Sequence, residues 1–366
     1  MPTVGPVQAA PTHDHGRHLP ALDGLRGVAV LLVVFSHAGN AGMFLHPVLD
    51  LRGTGRIGVF LFFVLSSFLL MRLALMADPA ELRRVSYWRG YAARRVARVM
   101  PPYLAALAAY VLATEFTAPL ALRHAVLLRG DGHFWTVPVE MRWYLLLPFA
   151  VGAAALLRAK PMLAAALMLL SAYGLRQVAS PDYGGRPPDH WIPLLPFVPV
   201  FLFGCAGALV YRSSTGADVD ADSARGARPA PARKAAWECL GWLGAGGLLW
   251  HFPSVRSALA GEPVEFMRYH LRFDALALAS LALVLGAALG AGGLRWLFER
   301  RSLRFVGRVS FSFYLMHPLV LAGVVEVGQG WPGPLPLVVL VSVSLAIAWI
   351  FWRWIEQPCM RAARRF

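Results

Sequence analysis

The sequence predicts an all-α, polytopic integral membrane protein with about ten transmembrane helices. Three observations carry this prediction. Hydrophobic residues make up 57% of the chain and charged residues only 15%, against about 25% charged in ordinary soluble domains. The mean hydropathy is +0.54. About ten runs of roughly 17 to 25 mostly apolar residues are long enough to cross a bilayer as helices, which leaves little of the 366-residue chain for a soluble domain.

The spans fall at 25–43, 57–76, 101–117, 142–157, 161–177, 192–211, 236–251, 272–291, 308–325 and 336–354. The net charge of +15 reads as membrane topology rather than nucleic-acid binding, because Lys and Arg accumulate in cytoplasmic loops. With both termini cytoplasmic, 25 of the 35 Lys and Arg residues lie on the inner side and 10 on the outer. The Ala- and Arg-rich usage points to a GC-rich bacterial genome, hence to a bacterial inner membrane. The expected organisation is a disordered cytoplasmic tail over 1–21, a transmembrane domain over 22–358 and a basic cytoplasmic tail over 359–366. The first apolar run begins too late for a typical signal peptide and reads as an uncleaved helix.

In the first span, LDGLRGVAVLLVVFSHAG places Arg26 and His37 eleven positions apart. At about 100° per residue that is three turns plus roughly 20°, an axial rise of about 16 Å, so the two side chains share a face. An ionisable residue inside a span is a candidate functional group facing the bundle interior. Arg26 snorkelling to headgroups and His37 bonding a neighbouring helix are the plainer alternatives, and the shared face favours function. The second span, GVFLFFVLSSFLL, carries Ser66 and Ser67, which read as small packing residues rather than nucleophiles.

Ahead of the third span, RGYAARRVARVMPPYL sets Arg89, Arg94, Arg95 and Arg98 before Pro101 and Pro102. Helical spacing puts Arg94 and Arg98 on one face. The cluster suits either an anchor to anionic lipid or a fork for the phosphates of a nucleotide-headed cofactor. Into the fourth span, GHFWTVPVEMRWYLLLP offers Thr136 as a helix cap, Pro138 in the first turn, and Glu140 where the helix dipole favours an anion. Trp135, Trp143 and Tyr144 suit an interfacial belt or stacking on sugar rings, and Glu140 with His133 suits an acid/base pair.

The fifth to eighth spans carry no comparable polar motif. The cytoplasmic linker loop at 212–235 separates the sixth from the seventh. Its Asp218, Asp220 and Asp222 begin like a calcium loop, but Ser223 stands where Gly is needed and Pro229 where Glu is needed. His13, His15 and His18 in the tail lack a carboxylate or thiol scaffold, and no metal site is expected. Cys205, Cys239 and Cys359 lie toward the predicted inner side, an odd number that suggests no disulfide framework. In the ninth span, VSFSFYLMHPLVL places His317 beside Pro318, where it lines a cavity or satisfies the backbone that the proline frees. WIEQP ends the tenth, with Glu356 as an ion partner for a basic loop.

Taken in order, LDGLRG with Arg26-x10-His37, GVFLFFVLSSF, RRVARVMPPY, FWTVPVEMRWYLLLP, VSFSFYLMHP and WIEQP resemble the acyltransferase family 3 membrane proteins across nearly the whole chain. That family includes O-acetyltransferases of surface glycans and acyltransferases of macrolide sugars. The resemblance implies a ten-helix core that uses cytoplasmic acyl-CoA, acetyl-CoA above all, to acylate a hydroxyl of a carbohydrate or glycoside acceptor. Carried onto this chain, the family's arginine–histidine pair falls on Arg26 and His37, its basic motif on Arg94, Arg95 and Arg98, and its glutamate on Glu140. Ser67 stands where many members have glycine and Pro138 where many have serine.

The expected mechanism has CoA phosphates at Arg94, Arg95 and Arg98, Arg26 at the mouth, and His37 as the base. Glu140 would orient the imidazole or the acceptor, and Trp135, Tyr144 and His317 would contact substrate. No metal is required. A transporter or flippase of a small polar or lipid-linked substrate is the competing class, since the same intramembrane groups suit a transport path.

Overall fold

The computed structural model describes residues 18–44, 46, 50–178, 194–216, 231–261 and 273–365. His13, His15 and the three linker aspartates lie outside these. Among the described residues every regular element is helical. Ten long helices are α1 (Pro20–Asn40), α2 (Gly55–Leu75), α3 (Val85–Ala113), α4 (Thr136–Leu156), α5 (Pro161–Val178), α6 (Val198–Thr215), α7 (Pro231–Trp250), α8 (Phe273–Leu289), α9 (Ser310–Val327) and α10 (Leu335–Phe351). Each predicted span has its helix. Eight are long and apolar enough to cross a membrane; α8, at 17 residues, is a shorter apolar helix. The tenth, α7, carries Arg233, Lys234 and Glu238 in its first turns.

Four helices, α1, α3, α4 and α7, start at least five residues earlier than hydropathy suggests, and two of these bear on the site. α3 begins at Val85 and passes through Pro101 and Pro102, so the arginine cluster sits on the spanning helix itself. Proline is tolerated inside a membrane helix where neighbours re-satisfy the freed carbonyls, and the arginines, not a break, lowered the apparent hydropathy. α4 begins at Thr136, which places Glu140 a full turn inside the bundle.

α2 is the central column, with 83% of its most apolar window buried, against 22% for α10 at the edge. α2 packs on α1, α4, α6 and α8, while α7 packs on α8 and α10 on α9. α1 is held on its other side by two short helices, Gly293–Phe298 and Arg301–Arg308. The glycines of LDGLRG explain how closely. A Cβ at Gly24 would overlap the Phe298 carbonyl, and one at Gly27 the Leu303 carbonyl, so only hydrogen at these positions admits the neighbouring backbone.

The outward faces are apolar. Leu112 is 87% exposed, Leu145 71%, Phe149 75% and Leu243 73%, a surface that water would penalise and lipid solvates. The protein is a multi-pass membrane protein. The end of the bundle where α1 starts is called basal below, and the opposite end distal.

Candidate active site

A cavity of about 340 Å³ opens among α1, α2, α3, α4 and α9. Its wall includes Asp23, Arg26, Ser66, Arg72, Arg95, Arg98, Thr136, Glu140, Tyr144 and Tyr314. Near its basal part, Arg26 comes within electrostatic reach of Arg98, Asp23 and Glu140. Neither Arg26, Arg95 nor Arg98 makes an ion pair with a protein carboxylate among the described residues. The Nε of Arg95 is buried without any hydrogen-bond partner, and its guanidinium stands 6.0 Å from the Tyr144 ring centre. Three guanidinium groups in one hollow, none in an ion pair with a carboxylate among the described residues, have the chemistry to hold an anion of more than one charge.

Glu140 marks the deeper wall. Its Oε1 accepts hydrogen bonds from Ser66 Oγ at 2.8 Å and from Tyr144 OH at 2.5 Å, while Oε2 carries none among the described residues. α2 supplies the serine and α4 the other two, with Tyr144 one turn beyond Glu140 on the same face. The expected pairing of Glu140 with His133 does not form, because His133 Nε2 donates to the Leu315 carbonyl at 3.2 Å. Thr136 does not cap α4 either; its hydroxyl donates to Tyr314 OH at 3.0 Å. Tyr314 OH in turn donates to the His133 carbonyl, so Thr136 and Tyr314 close the distal end of the cavity wall.

Beyond that pair lies a cluster of histidines. His37 Nδ1 and His317 Nε2 are 2.8 Å apart, and the His133 ring centre is 5.9 Å from that of His317. His317 Nδ1 reaches the Tyr314 carbonyl at 2.8 Å and the Phe313 carbonyl at 3.2 Å. Tyr314 is four residues before Pro318, so its carbonyl is the one whose helical partner the proline removes. The backbone reading of His317 therefore holds and the cavity reading does not: its ring satisfies the freed carbonyl, lies off the cavity wall and meets His37.

Among the predicted site residues, Arg26, Glu140, Arg95, Arg98 and Tyr144 share the cavity wall. His37 and His317 sit together one layer further, outside that wall, and His37 does not touch Glu140. Arg94 is not on the wall. Trp135 packs instead against Phe63, with ring centres 6.0 Å apart, and Phe197, at 5.0 Å. Sequence reasoning missed Ser66 as a partner of Glu140, and Tyr314 as the link between the cavity and the histidines. Tyr314 lies within the quoted VSFSFYLMHP, three residues before His317, which is the only trace of its role in the sequence. Glu356 is buried, not looped out: a π-turn, Trp352–Glu356, brings it to Ser312 Oγ at 3.2 Å, within electrostatic reach of Arg98 and Arg26. The three described cysteines are unpaired.

Comparison with known proteins adds to this geometry. The family model described as "Acyltransferase domain", for acyltransferase family 3, matches residues 19–353. The chain belongs to acyltransferase family 3. This family member is 28% identical over 233 residues to a Bacillus subtilis (strain 168) protein named "Putative peptidoglycan O-acetyltransferase YrhL". The match covers 54% of this chain and 34% of that relative, so the chain spans about a third of the relative's length. No solved structure matches the chain. Within the family match lie all the cavity residues named above.

Proposed function

We propose that this family member is an acyl-CoA-dependent O-acyltransferase of the bacterial cytoplasmic membrane, moving an acyl group, acetyl above all, onto a hydroxyl of a carbohydrate or glycoside. The observation that carries the reading is the convergence of Arg26, Arg95 and Arg98 on one cavity that also holds Glu140. The excess of Lys and Arg in basal loops favours a cytoplasmic basal end, the compartment that supplies acyl-CoA. The name of the Bacillus relative supports a glycan acceptor.

In this reading the CoA phosphates bind the three guanidinium groups, and the thioester arm extends distally along α1. Arg26 and His37 are separated by about 16 Å of helix rise, a distance that a pantetheine-like arm spans. His37 takes the proton of the acceptor hydroxyl as its oxygen attacks the thioester carbonyl. The carbon–sulfur bond breaks, and the proton passes to the departing thiolate. Glu140, through Oε2, receives a hydrogen bond from the acceptor and holds it on the cavity wall. For the thioester to reach His37, the Thr136–Tyr314 pair must part or the arm must pass beside it.

A second reading has its own observation. Ser66 Oγ donates to Glu140 at 2.8 Å, the contact that a serine nucleophile needs with its base. Ser66 would attack the thioester, Glu140 would take its proton, and the acceptor would then resolve an acyl-serine.

Purified protein incubated with radiolabelled acetyl-CoA tests both readings. Thiol release stimulated by a peptidoglycan-derived disaccharide or a panel of glycosides supports transfer, and substrate flux without thioester consumption supports a transporter. Label retained by the protein in the absence of acceptor, and lost in Ser66→Ala, selects the acyl-serine route.

A further inference from the structure

We infer that His317 is the positioning residue that holds His37 in its Nδ1–H tautomer, through the 2.8 Å contact between the two rings, and so leaves His37 Nε2 as the proton-accepting atom. The inference rests on the reading of His37 as the base and adds what makes it one.

The argument starts from a proline. Pro318 has no N–H to give the Tyr314 carbonyl, and His317 Nδ1 lies 2.8 Å from that oxygen and 3.2 Å from the Phe313 oxygen. A carbonyl only accepts, so His317 Nδ1 carries the hydrogen. A neutral imidazole has one N–H, and the other nitrogen is then an acceptor. His317 is fully buried, 0% exposed, and no carboxylate is among its contacts in the described residues, so a neutral ring is the form the site favours. Its Nε2 must accept, and His37 Nδ1 must donate.

The ring geometry agrees. The two imidazoles are within 14° of parallel with centres 5.0 Å apart. Two five-membered rings joined in plane through a 2.8 Å N···N contact have their centres at that separation, so this is an in-plane hydrogen bond rather than a face-to-face stack. His37 Nε2 makes no hydrogen bond among the described residues, and its lone pair is open. His133 takes no part in the relay. Its Nε2 is committed to the Leu315 carbonyl, and its ring packs against that of His317.

Without the acceptor at His317 Nε2, neutral His37 reverts to the Nε2–H form that isolated imidazoles favour, and the atom needed for catalysis carries a proton. Two substitutions separate this from bulk packing. In His317→Gln the amide oxygen reaches the place of Nε2 and can still accept from His37. In His317→Asn the shorter amide reaches the Tyr314 carbonyl but not His37.

The experiment measures steady-state kinetics and ¹⁵N-histidine NMR in lipid nanodiscs, with the His37 signals assigned by their loss in His37→Ala. His317→Asn is expected to lower kcat about 10²–10⁴-fold, the share general-base catalysis supplies, with KM for acetyl-CoA unchanged. His317→Gln is expected to restore kcat to within about tenfold of the parent. The parent spectrum should show His37 protonated on Nδ1, and His317→Asn should move the proton to Nε2. Equal kcat in the Asn and Gln variants, or Nε2–H in the parent, overturns the inference. Full activity in His37→Ala instead retires the base reading, while the parent spectrum still reports on the pairing.

Discussion

At the basal end of the bundle, Arg26, Arg95 and Arg98 face a cavity without a carboxylate bound to any of them. At the distal end two arginines between helices, Arg52 and Arg129, are clasped by carboxylates. Asp50 accepts from Arg52 through Nε at 3.0 Å and through Nη2 at 2.7 Å. Asp131 accepts from Arg129 at 2.5 Å and from buried His124 at 2.9 Å. A cation held away from water without a partner raises the energy of the fold. Pairs satisfied within the chain serve the structure, whereas three cations left open in one hollow store affinity for an anion that arrives from outside. The difference predicts that damage to the basal set lowers function and spares stability, and that damage to the distal set does the reverse.

The sharpest break should come at Glu140. Glu140→Gln keeps an oxygen that can accept from Ser66 and Tyr144 but loses the charge, so we expect kcat to fall about 10²–10⁴-fold with the thermal midpoint unchanged. Full activity would remove this carboxylate from the chemistry. Next in size, Arg98→Ala deletes a charge-assisted contact worth about 1.5–3 kcal/mol, which corresponds to a rise of about 10- to 150-fold in KM for acetyl-CoA. The midpoint should change little, because Arg98 makes no ion pair within the chain among the described residues and buried Glu356 keeps its hydrogen bond from Ser312. Arg94→Ala, a neighbour on α3 that is absent from the cavity wall, should leave KM where it was. Equal effects at Arg94 and Arg98 would return the whole cluster to membrane anchoring.

Much of this architecture was legible before any coordinates. Hydropathy located a helix for every predicted span, and the eleven-residue spacing of Arg26 and His37 put both on the interior of α1. What hydropathy misjudged was where polar side chains sit on a span. It began α3 at the prolines because four arginines lowered the local score, and α4 six residues late because Glu140 and Arg142 did the same. Contacts across helices were beyond reach for a different reason. Ser66 and Glu140 are 74 positions apart, and His37 and His317 are 280 apart. Periodicity gives the face of each helix but not the height at which two helices meet. That height was needed to see that Glu140 meets Ser66 rather than His133, and that His37 meets His317 rather than Glu140.

On the distal side, Asp131→Asn removes a carboxylate shared by Arg129 and by His124, whose side chain is 0% exposed. Leaving a buried donor without its charged acceptor costs about 1–3 kcal/mol, read as a lower midpoint in detergent, while kcat and KM for acetyl-CoA hold. A change in KM without a change in midpoint would show that this end, too, belongs to the site.

The smallest effect belongs to Asp50, in the connection between α1 and α2. Its hydrogen bonds to the Arg52 side chain, with the neighbouring charge, hold its carboxyl below the ordinary value of 3.8, partly offset by desolvation. The side chains are 20% and 42% exposed, so solvent screens the pair and its contribution is small. A carboxyl whose folded pKa is depressed contributes its full stabilisation above its unfolded value, near 3.9, and loses it as pH falls through the lower folded value. Asp50→Asn should therefore lower the midpoint slightly at pH 7 and erase part of the decline below pH 4, so that the parent and variant curves converge in acid. Curves that stayed parallel to the lowest pH would mean that the Arg52 clasp contributes nothing electrostatic. The contrast between the two ends would then rest on Asp131 alone.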